Sequence, residues 1–135
     1  MSFSNVTEEA VLNYIFDSAA PSWAANANFW VALHTADPGE AGTAITSETA
    51  YAGYARVAVS RTTGFTVTGD TVVNAALLQF PQCSGAGATL THFSVVTTAS
   101  GAGDIILRGA LSASLVVGTG VQPQFAASGL SATLN

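Results

Sequence analysis

This chain predicts a mainly β fold: a single-domain antiparallel β-sandwich, jelly-roll-like, with one short N-terminal helix. Three observations lead there. Short runs of branched and aromatic residues recur from Phe29 to the C-terminus, and several alternate apolar with polar. Clusters of Gly, Ser, Pro and Asp separate them as turn signals. Only one window, near the N-terminus, has helical spacing. The 135 residues suit one domain, spanning 1–135, with room for a real core.

The helix is expected at about residues 5–17. Asn5 can cap it, with Glu8 three residues on as the capping-box partner and Glu9 close to the positive end of the dipole. Val11 and Ile15 are four apart, as are Leu12 and Phe16, which gives a broad apolar face. Ala19-Ala20-Pro21 closes the segment, because the residue before proline avoids helical geometry. Such a face predicts docking over one end of a sheet; the alternative is an arm reaching a neighbouring subunit.

After Trp23 the reading is β throughout. In Phe29–Thr35, alternation puts Phe29, Val31 and Leu33 on one face and Trp30, Ala32 and His34 on the other. A long loop at about 36–50 follows, opened by Asp37-Pro38-Gly39; a connection of this length without its own periodicity reads as functional or mobile. Its acidic residues, Asp37, Glu40 and Glu48, read as solvated. Tyr54–Arg61 alternates again. Phe65–Thr68 and Thr71–Val73 flank Gly69-Asp70 as a hairpin with a two-residue turn. Strands are further expected at 77–80, 90–97, 105–111, 115–117, 122–126 and 130–134, with a turn at Gly101–Asp104. In the strand from Ile105, alternation turns Ile105 and Leu107 inward and groups Arg108 with Ile106 and Ala110.

Charge narrows the function classes. Only 8% of residues are Asp, Glu, Lys or Arg, against roughly 25% in ordinary soluble domains. Lysine is absent, and the basic residues are Arg56, Arg61 and Arg108. Three scattered arginines and a net charge of −5 give no basic patch for displacing counterions, so nucleic acid is excluded as a partner. Mean hydropathy is +0.43, yet no run approaches the ~18 apolar residues of a membrane span, so no membrane is expected. The opening residues carry Glu8 and Glu9 and no basic stretch, unlike a secretion signal, which implies synthesis in a cytoplasm. The uncharged segments 71–103 and 109–135 predict burial against other protein, and hence a homo-oligomer, expected to be a trimer.

Candidate chemistry is sparse. Cys83 is the lone cysteine, which leaves no intrachain disulfide or cysteine metal site; it reads as a small buried residue. His34, His92 and Cys83 could in principle form a nucleophile pair or a metal site, but they carry no local signature. Gly85-Ala86-Gly87-Ala88 lacks the Lys-Ser/Thr of a phosphate loop. No catalytic residue, metal or cofactor is expected. Trp23, Trp30, Tyr51 and Tyr54 could stack sugars, though core or subunit contacts are the plainer reading. Arginines are suited to bidentate contacts at interfaces. Trp30, His34, Tyr54, Arg56 and Arg108 are accordingly the candidate protein-interface residues.

Taken in order, the motifs resemble a family of small structural proteins of tailed bacteriophages. The resemblance rests on the helix at Asn5–Asp17, the strand Phe29–Thr35 with its Asp-Pro-Gly turn and Gly53-Tyr54-Ala55-Arg56. It continues through Leu90–Val96, Ser100-Gly101, Ile105–Leu111 and Phe125–Leu130, nearly the full length. Where the family often has an Asp after the strand near residue 96, this chain has Thr97-Thr98-Ala99. The resemblance implies a non-enzymatic virion role. The expectation taken from it is a capsid cement, or decoration, protein made in the host cytoplasm. It would bind the major capsid protein on the outer surface of the capsid and stabilise the head, with the Tyr54–Arg56 strand and the 36–50 loop in contact. A tail or tail-fibre component contacting the host receptor is the alternative.

Overall fold

Strand alternation sorts side chains onto two faces, and in this protein both faces of the central strand are covered. The computed structural model describes residues 2–134. Its elements are β1 (Ser2–Phe3), α1 (Asn5–Asp17), β2 (Asn28–His34), β3 (Val57–Ser60), β4 (Phe65–Thr68), β5 (Thr71–Asn74), β6 (Leu78–Gln79), β7 (Ala88–Val96), β8 (Ile105–Val117), β9 (Gln124–Phe125) and β10 (Ser131–Thr133). All the described strand pairs are antiparallel. One layer is the five-stranded sheet β1-β8-β7-β2-β3; the other is split into β10-β5-β4 and β6-β9. The expected mainly β, sandwich-type fold with one helix is what the chain adopts.

The main core lies between the layers. Val31, Leu33, Val59, Phe93, Val95 and Leu107 from the large sheet meet Leu78, Phe80, Leu130 and Ala132. Phe80 is fully buried and centres an aromatic series, with Tyr54 stacked at 6.5 Å and Phe125 edge-on at 6.1 Å. Asn74, also fully buried, ties the smaller sheet to the chain beyond β9. Its Nδ2 donates to the Ala76 and Ala126 carbonyls, and its Oδ1 accepts from the Leu130 N–H, each at 2.8 Å.

The opposite face of the large sheet carries a second, smaller core of Ala32, Ala44, Val96 and Ile105, with Trp30 packed against it. Ala44 comes from the 36–50 segment, which folds back over the sheet instead of standing free. Its backbone bonds to its neighbours through Thr35 N–H to Ser47 O, Thr49 N–H to Leu33 O and Ala44 N–H to Gly103 O, all at 2.9 Å. The expected loop is therefore a cover.

Several strand boundaries differ from expectation, most of them by one or two residues. β3 begins at Val57, and Tyr54 instead closes a turn with its N–H on Tyr51 O. β8 is one strand of 13 residues, not two. It absorbs its small residues by irregular pairing: Ala110 faces His92 and Leu115 faces Leu90, leaving 111–114 opposite Thr91. A second shift pairs Val95 with Leu107 but Val96 with Ile105, making Ile106 the extra residue. Ile106 consequently joins the main core beside Leu107 while Ile105 enters the second one, against the simple alternation expected. The hairpin β4–β5 turns at Gly69-Asp70 as expected, Gly69 supplying the positive φ of 63°. At Gly87 a Cβ would sit 1.8 Å from the Val117 carbonyl oxygen, so this glycine permits a close backbone approach.

The helix differs most. Its cap is Ser4, whose Oγ accepts from Thr7 N–H, and Asn5 is the first helical residue. It ends at Ser18, in the left-handed region at φ 54°, before the proline is reached. Only Thr7 is buried along its length.

Candidate functional site

The three arginines organise the polar architecture, and each is engaged inside its own subunit. Arg56 follows the Tyr54 turn, and its side chain is only 2% exposed. Its Nε and Nη2 donate to the two Glu48 oxygens at 2.6 and 2.7 Å, a bidentate pair. Nη1 donates to Thr98 O and Thr98 Oγ1, and Nη2 also to Gly101 O. The Tyr54 hydroxyl donates to Glu48 Oε1 at 2.8 Å and accepts from Leu33 N–H. Burial raises the Tyr54 pKa, so the phenol stays protonated as a donor. This knot stitches the 36–50 cover, the start of β3 and the turn between β7 and β8. It also floors an open cleft of about 450 Å³ that includes Tyr51, Gly53, Ala99 and Ser100.

Arg108 lies on the covered face, paired in register with Ser94. Its Nη1 is 2.8 Å from both Asp37 oxygens and its Nη2 3.5 Å from Glu40 Oε1. The Asp37 pKa is lowered, first by the Gly39 N–H it accepts from and then by Arg108. Arg61 donates to the carbonyls of Trp23, Ala24 and Asn26, and its guanidinium lies 4.8 Å from the Phe29 ring centroid.

His34 is fully buried. Nδ1 lies 2.9 Å from Thr46 O, a pure acceptor, so Nδ1 carries the proton. Nε2 then accepts from Ser94 Oγ–H at 2.7 Å. Burial lowers the His34 pKa, favouring this neutral form. Of the five candidate interface residues, His34 and Arg56 are thus internal braces, and Tyr54 joins Arg56 in one cluster. Arg108 holds the other end of the cover, and Trp30 is half-buried in the second core. Of the acidic loop residues expected to be solvated, Asp37 and Glu40 are exposed while they pair with Arg108, and Glu48 alone is drawn in, against Arg56. Cys83 is buried with its Sγ toward the Gly85 and Ala86 carbonyls.

A cluster of exposed apolar side chains lies on α1. Leu12, Ile15 and Phe16 are 56, 62 and 78% exposed, with Val11 and Tyr14 exposed beside them. The apolar spacing was visible in the sequence, but it does not dock on a sheet. The helix is held instead by its first turn, through Ser4 Oγ to Ile105 O, Thr7 Oγ1 to Ile106 O at 2.7 Å and Asn5 N–H to Glu40 O. The apolar side chains of Leu12, Ile15 and Phe16 toward the far end stay largely exposed.

Fold and site together define a small antiparallel β-sandwich that uses its cations internally and leaves an apolar helix uncovered. Residues 2–133 match the model of the family described as podophage GP4 fiber I protein gp80. The chain belongs to that family, and with it to the structural proteins of phage virions. None of the curated proteins matches it. The description names a fibre, which fits the tail or fibre alternative better than capsid decoration.

Proposed function

We propose that this chain is a structural, non-enzymatic component of a phage fibre, held in the virion by protein–protein contacts. The observation that carries the reading is the uncovered apolar face of α1, a surface of the sort that assembly partners bury. The family's fibre description supports a fibre over the outer capsid surface as the place of that assembly. The internal pairing of the arginines supports a passive role, since it spends Arg56 and Arg108 on carboxylates of the same chain and so fixes the domain's shape.

Immunogold labelling of intact particles tests this. Label at the fibres is expected, and label distributed over the head would reinstate the decoration reading. Particles lacking the protein should keep their heat tolerance and lose adsorption to cells. The converse, fragile heads with normal adsorption, would sink the fibre reading.

A further inference from the structure

The occupant of the α1 face can be named by its chemistry. Leu12, Ile15 and Phe16 stand at i, i+3 and i+4, the spacing by which a helix is read in an apolar groove. Glu8 and Glu9 lie in the turns before this stripe and Asp17 just after it. All three are exposed, and among the described residues none is in an ion pair.

A second copy of this chain is poorly supplied to answer those carboxylates. The chain has no lysine, Arg56 and Arg108 are paired with Glu48 and with Asp37 and Glu40, and the remaining cation, Arg61, is held over the Phe29 ring with its Nη1 on three backbone carbonyls. Packing α1 against another α1 would set Glu8 and Glu9 beside like charges if parallel and beside Asp17 if antiparallel. Like-charge juxtaposition disfavours both arrangements.

Resting on the virion role above, we infer that α1 docks into an apolar groove, rimmed by Lys or Arg, on a different virion protein. The apolar stripe supplies the affinity and the carboxylates the register and the choice of partner.

The experiment is site-specific photo-cross-linking in assembled phage with Phe16→p-benzoylphenylalanine. Position 16 is 78% exposed, so the replacement does not test folding. The expected adduct joins this chain to another virion protein at an apolar segment flanked by Lys or Arg. Adding Glu8→Gln, Glu9→Gln and Asp17→Asn should lower its yield several-fold. An adduct between two copies of this chain, no adduct, or a yield indifferent to the charge changes overturns the inference alone. Absence of the chain from purified particles overturns the fibre reading, and this inference with it.

Discussion

At the scale of residues, Arg56 has the highest stake. Arg56→Ala would leave Glu48 without its cation, and Thr98 O and Gly101 O without their donor, in a nearly closed site. Breaking a buried pair costs about 3–5 kcal/mol, a large share of the ~5–15 kcal/mol that holds a domain folded. Chemical denaturation should show that loss. Arg56→Lys should recover little of it, because an ammonium cannot reproduce the bidentate contact together with those to Thr98 and Gly101. His34 sets a pH dependence. Its folded pKa lies below the unfolded value, so protonation favours the unfolded chain. Its contribution is complete above about pH 6.5 and declines as pH falls below that value toward the folded pKa. Asp37, also lowered, acts in a separate window, its contribution fading only near and below the ordinary carboxylate range. Thermal melts between pH 7 and pH 5 should therefore fall, and His34→Gln should flatten that slope whatever it does to the plateau.

At the scale of elements, the helix separates attachment from exposure. Thr7→Val removes the hydroxyl's bond to Ile106 O in a buried setting and should cost about 1–2 kcal/mol. Leu12→Ser with Phe16→Ser, at the uncovered end, should change stability by no more than about 0.5 kcal/mol. Equal losses in both variants would mean that the outer face does pack in solution. The elements most legible in sequence were those whose signal is local. The β4–β5 turn followed from Gly69-Asp70, and the sorting of β2 followed from period-two alternation. Ile106 was misplaced because a bulge depends on the partner strand, which β8's own sequence does not display. The helix cap was read one residue late, since Ser4 and Asn5 are both good caps and only the contact with Ile105 and Ile106 selects Ser4.

At the scale of the whole molecule, low charge was legible and its meaning only half so. Three arginines and three carboxylates of the 36–50 segment were all visible in the sequence. Their pairing was not, because it depends on that segment lying back across β2 and β8. A segment without periodicity can still be ordered when its backbone and carboxylates find partners on a sheet, as Ser47, Thr49 and Glu48 do. The interface candidates were accordingly drawn to residues that brace the subunit. The helix, whose apolar spacing predicts a face docked over a sheet with an arm to a neighbouring subunit as the alternative, keeps Leu12, Ile15 and Phe16 exposed.

The same economy of cations decides how the protein meets a protease. Trypsin cuts after lysine or arginine, so this chain offers it only the bonds following Arg56, Arg61 and Arg108. Cleavage requires the arginine to leave its surroundings and enter the enzyme's specificity pocket within an extended stretch of chain. Here that means abandoning Glu48, three carbonyls or Asp37, respectively. The native protein should thus survive concentrations of trypsin that digest ordinary domains, and its cleavage should track the unfolded fraction across a denaturant titration. Rapid native cleavage confined to Arg61 would locate an independent opening at the turn beside Trp23. Digestion then becomes a direct readout of folding, with the guanidinium pairings acting as the locks.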